Sequence, residues 1–327
     1  MKKRLFLRTL TLGALALTAA GASLAQTTAA TYPNRPIRIV VPFAAGGTSD
    51  VLARSIGQKL GTAWGQSVIV ENRPGADGNL GAEVVARAAP DGYTLLIVDI
   101  STLTVSPLVM ARMTYDPLQD LAPVTMVSFS PHALAVTAAL PATNLKELLA
   151  YSKAHPGKLN FAAGNQATKL AALQLKTMSG IDMTSVPYKG GAAALNALIS
   201  GEVDVTLVGL LASMPQMAGG RIRAIAVSSA QRMPATKDIP TVAESGLPGY
   251  VSGSWQGILA PRGTPKDVVA KLNAALAGIL NDAAFKAHLA EQGTEVIADQ
   301  PEQFGAFLLK DAANWKKIAT AANIKPE

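Results

Sequence analysis

The chain has 327 residues, with 29 Lys and Arg against 22 Asp and Glu and no cysteine. The missing cysteine excludes thiolate metal centres, disulfide frameworks and a lipid-modified cysteine. A content of 49% hydrophobic and 16% charged residues excludes intrinsic disorder, and basic residues scattered among only 5% aromatics exclude nucleic acid as an expected partner.

Lys2, Lys3, Arg4 and Arg8 precede an apolar run over 10–20, and Ser23-Leu24-Ala25 reads as a small-x-small cleavage site. Together they predict a secretory signal peptide over 1–25. The run falls short of the roughly 20 apolar residues that span a bilayer, so the expected product is a soluble periplasmic protein. Removing four bases leaves 25 basic against 22 acidic residues, +3 in place of +7. The 327 − 25 = 302 residues that remain suffice for about two domains.

A Pro-bounded β-run over 37–43 breaks into Ala44-Ala45-Gly46-Gly47-Thr48-Ser49-Asp50 and enters an amphipathic helix over 51–60. That order aims free backbone N–H groups and the positive end of a helix dipole at one point, a place to hold an anion. A strand over 67–71 follows, then the turn Asn72-Arg73-Pro74-Gly75-Ala76-Asp77-Gly78-Asn79, a helix over 80–89 and a continuous apolar strand over 93–99 of the kind buried on both faces. Ser101, Thr102 and Thr104 lie past its carboxyl end as rim hydroxyls.

A second block opens near Pro131 with a strand over 132–137, a helix over 145–155, and a strand over 159–162 ending in Gly164-Asn165-Gln166-Ala167-Thr168. A helix over 169–179 and a strand over 184–186 lead to Pro187-Tyr188-Lys189-Gly190-Gly191. A helix over 192–200 then stops at Gly201. Strands over 203–208 and 223–227 complete the block. Strand pattern returns over 255–259, and Thr264 with Pro265 is expected to cap and start the first of three closing helices over 266–279, 283–292 and 301–322.

Alternating strands and helices predict an α/β fold with largely parallel sheets. A chain that leaves one domain and returns crosses twice, near 122–131 and 250–257, and so forms a hinge. The expected division is 31–125 with 256–327 as domain 1 and 130–250 as domain 2. Ligands of open parallel sheets sit beyond the carboxyl ends of the strands, so the two sets of glycine turns are expected to face each other across a cleft.

An enzyme is the rival reading, with Ser49 as nucleophile and His132 or His155 as base. No G-x-S-x-G elbow is present, and the three histidines stand in unrelated contexts. No H-x-x-x-H or D-x-D pattern points to a metal, and no cofactor is expected.

The segments YPNRPIRIVVPFAAGGTSD, VENRPGADGNLGAEVVARAAPDGYTLL, VPYKGGAAALNALISGEVDV, DIPTVAESGLPGY and WQGILAPRGTP strongly resemble the Bug family, the extracytoplasmic solute-binding proteins of tripartite tricarboxylate transporters. The resemblance runs from about Tyr32 to the C-terminal helices. It implies a two-domain periplasmic-binding-protein (Venus flytrap) fold with a ligand cleft between lobes, binding a mono-, di- or aromatic carboxylate. It also implies a monomer that serves membrane permease subunits and is not an enzyme. Carried over by position, the carboxylate grip falls on Ala45, Gly46, Gly47, Thr48, Ser49 and Asp50, and the second loop on Gly75, Ala76 and Gly78. The opposite lip falls on Gly164, Asn165 and Thr168, with Tyr188 and Lys189. Ser101, Thr102 and Lys169 complete the candidates. Asp50 is also open to a capping or water-orienting role, because a carboxylate repels a bound one. The run Asp99-Ile100-Ser101-Thr102-Leu103-Thr104 departs from the family's Gly/Ser/Thr/His-rich one, Lys169 stands where His or Ser is common, and Val208-Gly209-Leu210 replaces a more polar segment. These departures favour an aromatic or long-chain acid over citrate. A receptor feeding a signalling partner is the alternative.

Overall fold

The computed structural model describes residues 31–321 and Pro326, so the signal-peptide segment lies outside the described residues. β1 (Ile37–Val41) is buried on both faces except at Arg38. It pairs in parallel with β2 (Val68–Asn72) on one side and β3 (Thr94–Asp99) on the other. α1 (Thr48–Trp64) begins three residues before the expected start, because Gly47 lies extended (φ −80°, ψ 171°) and serves as the N-cap. α1 stops at Gly65, whose left-handed φ of 62° a residue with a Cβ rarely adopts. α2 (Asn79–Ala86) follows the tight turn Ala76–Gly78. β3 runs directly into two single-turn helices, α3 (Ser101–Thr104) and α4 (Ser106–Val109).

β4 (Leu121–Thr137) is one 17-residue strand, of which the sequence pattern shows only the second half. Its first half pairs antiparallel with β9 (Gly253–Pro261), from Leu121↔Pro261 to Pro131↔Gly253. β9 also closes the first sheet by pairing with β3, Asp99 opposite Gln256. Register shifts at Pro123/Thr125 and Met126/Ser128 insert extra residues that bend and twist this ribbon.

Beyond Pro131, β4 enters a second sheet between β7 (Val205–Gly209) and β8 (Ile222–Val227). β5 (Asn160–Ala163) continues that sheet in parallel beside β7, and β6 (Thr184–Pro187) beside β5. Helices α5 (Leu145–Ala154), α6 (Gln166–Ser179) and α7 (Gly191–Ser200) connect these strands. α8 (Leu210–Ala218) is a helix that the sequence reading left blank; Pro215 and the glycine pair after it mask its period. α9 (Lys266–Leu280), α10 (Ala283–Glu291), β10 (Glu295–Val296) and α11 (Pro301–Ala321) close the chain. α9 and α11 pack on β4. The expected Thr264 cap is corrected: Pro265 occupies the N-cap, and the Thr264 hydroxyl donates to the Pro261 carbonyl at 2.8 Å.

Each sheet has its own core. Ile37, Ile39, Leu95, Ile97 and Leu272 lie fully buried in the first lobe, and Leu134, Leu148, Phe161 and Leu175 in the second. Burial of each such side chain contributes about 1.5–3 kcal/mol, enough to make the strand ends rigid supports for the loops they carry.

A closed cleft as candidate binding site

The start of α1 supplies the first wall. Gly47, Thr48 and Ser49 face a chamber of about 40 Å³ between the lobes. No side chain among the described residues caps the helix, so the N–H groups of its first turn are left without an intrahelical or capping partner at the chamber wall, with the positive end of the dipole beside them. The loop is held in place by Asp50. Its Oδ2 accepts the Gly46 N–H at 2.9 Å and Arg54 Nε at 3.0 Å, while Oδ1 accepts Arg54 Nη2 and Asn72 Nδ2, each at 2.9 Å. Burial would push the Asp50 carboxyl up, but these bonds outweigh it and hold it below the usual carboxylate range. Asp50 therefore fixes the loop and lines neither the chamber nor its neighbour. Gly46 spends its N–H on Asp50, and Ala45 and Gly46 are exposed and line neither cavity.

The floor is a row of polar side chains on the crossing strand. The Ser49 hydroxyl donates to Gln256 Oε1 at 2.7 Å, and Gln256 Nε2 donates to Ser254 Oγ at 2.7 Å. Ser254 donates in turn to Asp99 Oδ2, and the Ser101 N–H donates to Asp99 Oδ1 at 2.9 Å. Burial raises the Asp99 carboxyl against the pull of these donors, and the neighbouring Asp311 raises it further. His132 lines the same chamber with Nδ1 3.1 Å from Ser252 Oγ, and burial lowers its pKa to about 4, so it is neutral at pH 7. Ser49 thus hands its hydrogen bond to an amide, which is no base, and the nucleophile reading has no chemistry to run on. His155 bonds the Tyr151 carbonyl at the end of α5.

The second lobe supplies the facing wall. Asn165 Oδ1 caps α6 by accepting the Thr168 N–H at 2.9 Å, and Thr168 Oγ1 accepts the Gly164 N–H at 3.0 Å. Gly164 itself packs on Gly191, where a Cβ would fall 2.9 Å from the Gly191 Cα. The lobes touch: a Cβ on Gly209 would lie 2.6 Å from Thr48 Oγ1, and Gln166 Nε2 donates across the cleft to Asp77 Oδ2 at 2.7 Å.

Of the residues nominated from sequence, Gly47, Thr48, Ser49, Asn165 and Thr168 line the chamber, and Ser101 lines the larger cavity beside it. Thr102 instead buttresses the second loop by donating to the Asp77 carbonyl at 3.0 Å, with Gly78 packed against it. Gly75 and Ala76 turn outside the chamber, Tyr188 donates to Glu202 at 2.7 Å, and Lys169 and Lys189 are exposed. Sequence reasoning missed Ser254 and Gln256. Two polar residues at alternate positions flanking Trp255, in a strand otherwise apolar, were the available signal.

The family profile described as tripartite tricarboxylate transporter family receptor, TctC, matches residues 52–324. The chain belongs to this family. Solved structures agree over nearly the whole described chain. R. palustris Rpa4515 with adipate is 38% identical, with a TM-score of 0.87 over 90% of this chain and 100% of that one. The periplasmic binding protein BugD is 34% identical, with a TM-score of 0.86 over 90% and 100%. MatC from Rhodopseudomonas palustris with bound malate is 33% identical, with a TM-score of 0.82 over 88% and 99%. The two-lobed fold and the Bug resemblance are thereby established, and TctC proteins are receptors, not enzymes.

Proposed function

We propose that this TctC receptor binds a small carboxylate between its lobes in the periplasm and delivers it, as a monomer, to the permease subunits of a tripartite membrane transporter. The observation that carries the reading is the uncapped start of α1, which opens into a small inter-lobe chamber floored by hydrogen-bonding side chains. Charge-assisted hydrogen bonds contribute about 1.5–3 kcal/mol each, so three or four from Gly47, Thr48, Ser49 and the facing lip reach roughly 6–8 kcal/mol, the range of micromolar affinity. The adipate and malate bound to the two relatives are of the same chemical class.

Lobe 1 is assigned to 31–125 and 256–327 and lobe 2 to 130–250, with closure about the β4–β9 ribbon. A thermal-shift screen of the mature protein over mono-, di- and tricarboxylates tests the reading, since a ligand that binds only the native state raises Tm. At least one acid is expected to do so, and the effect should vanish in Gly47→Val. A complete lack of response, or a response untouched by that substitution, overturns it. Uptake of the same acid into vesicles bearing the permease, dependent on added receptor, tests delivery.

A further inference from the structure

The chamber at the start of α1, at about 40 Å³, has room for little more than a carboxylate head. Asp99 is common to its wall and to that of a second cavity of about 620 Å³, within the size range of ligand pockets. α6 also borders both: Asn165 and Thr168 face the small chamber, and Ala167 and Leu170 the large one.

The large cavity is apolar. Phe129 and Trp255, with ring centroids 4.4 Å apart, form one side, Leu170 and Leu173 another, and Trp315 a third. Leu173, Met178 and Val251 at its mouth remain 46%, 39% and 44% exposed, apolar surface that a bound molecule would cover. Among the described residues its charged lining consists of Asp99 and Asp311 alone, with no Lys, Arg or His. Asp311 is held by the Thr104 hydroxyl at 2.7 Å.

Resting on the carboxylate reading above, we infer that the ligand is a monocarboxylate with an apolar tail of ring size or longer. Its head sits at α1, its tail occupies the large cavity, and Asp311, which lines the large cavity and not the chamber, excludes a second carboxylate. A dicarboxylate in this pose would place its far charge in an apolar cavity beside Asp311, with no cation among the described lining residues. An apolar tail gains about fourfold in affinity per buried methylene.

Calorimetry of the mature protein with acetate, hexanoate, 3-phenylpropanoate and adipate tests the inference. Hexanoate and adipate differ only in the terminal carboxylate. Hexanoate and 3-phenylpropanoate are expected to bind at least tenfold tighter than adipate. Ala167→Phe, which fills the cavity, should lower the hexanoate-to-acetate affinity ratio at least tenfold, with Thr177→Trp as a second filler on the exposed side of α6. Asp311→Asn should narrow the hexanoate–adipate gap. Adipate binding as tightly as hexanoate, or fillers that leave the ratio unchanged, overturns the inference while leaving the cradle intact. If no acid binds at all, the carboxylate reading falls and takes this inference with it.

Discussion

Replacing Gly209 by alanine places a methyl group where the closed lobes leave no room. The backbone there, φ −54° and ψ 135°, accepts any L-residue, so the substitution brings no local strain. The new Cβ would stand 2.6 Å from Thr48 Oγ1 and 3.8 Å from Thr48 Cβ across the cleft. Ordinary contact needs about 3.4 Å, so the lobes must part by roughly 0.8 Å or Thr48 must abandon its rotamer. A hydrogen bond of about 2.9 Å stretched by that amount reaches about 3.7 Å, beyond a useful length. Each lost charge-assisted bond costs about 1.5–3 kcal/mol, so Kd for the bound acid is expected to rise at least tenfold. The ligand-free protein opens to relieve the contact, and its Tm should hold or rise slightly, since alanine at a permitted position restricts the unfolded chain. Calorimetry of Gly209→Ala, Thr48→Ala and the double variant completes the test: if the clash is the cause, the double variant recovers part of the loss and the cycle shows coupling. An unchanged Kd in Gly209→Ala, or equal losses that simply add, would refute closure onto this chamber.

Asp50→Asn should cost about 1–2 kcal/mol in urea unfolding, discounted because Arg54 is 54% exposed and solvent-screened. Since the folded-state pKa of Asp50 is depressed, its contribution is present at neutral pH and is lost as pH falls below about 3.9, so the variant's acid limb should be flatter. His132, lowered to about 4 by burial, binds a proton in the unfolded chain before it does in the folded one. Stability should therefore fall as pH drops from about 6.5 toward 4, by up to roughly 3 kcal/mol, and His132→Gln should remove that segment of the profile. Gly257→Ala would set a Cβ 2.2 Å from Phe304 Cζ, so overpacking of about 1–3 kcal/mol should lower Tm, and adding Phe304→Leu should restore part of it.

The alternation of strands and helices could be read from the sequence because period, proline and glycine punctuate it locally. So could the uncapped start of α1: glycines between an apolar strand and an amphipathic helix signal it whatever surrounds them. What stayed hidden depends on contacts far apart in the chain. Asp50 looked like a ligand residue until Asn72, 22 positions away, and Arg54 came into view on its oxygens. Ser49 meets Gln256 across 207 positions, a pairing that no window of sequence contains. Lys169 and Lys189 carry the right charge at motif positions, yet their backbones send them to solvent.

β4 belongs to both sheets, and β9 runs beside it through the crossing. Any movement between the lobes would therefore twist a hydrogen-bonded ladder, not swing on a slack linker. Fraying β4 in one sheet robs the other of a strand they share, so the two halves are expected to melt together.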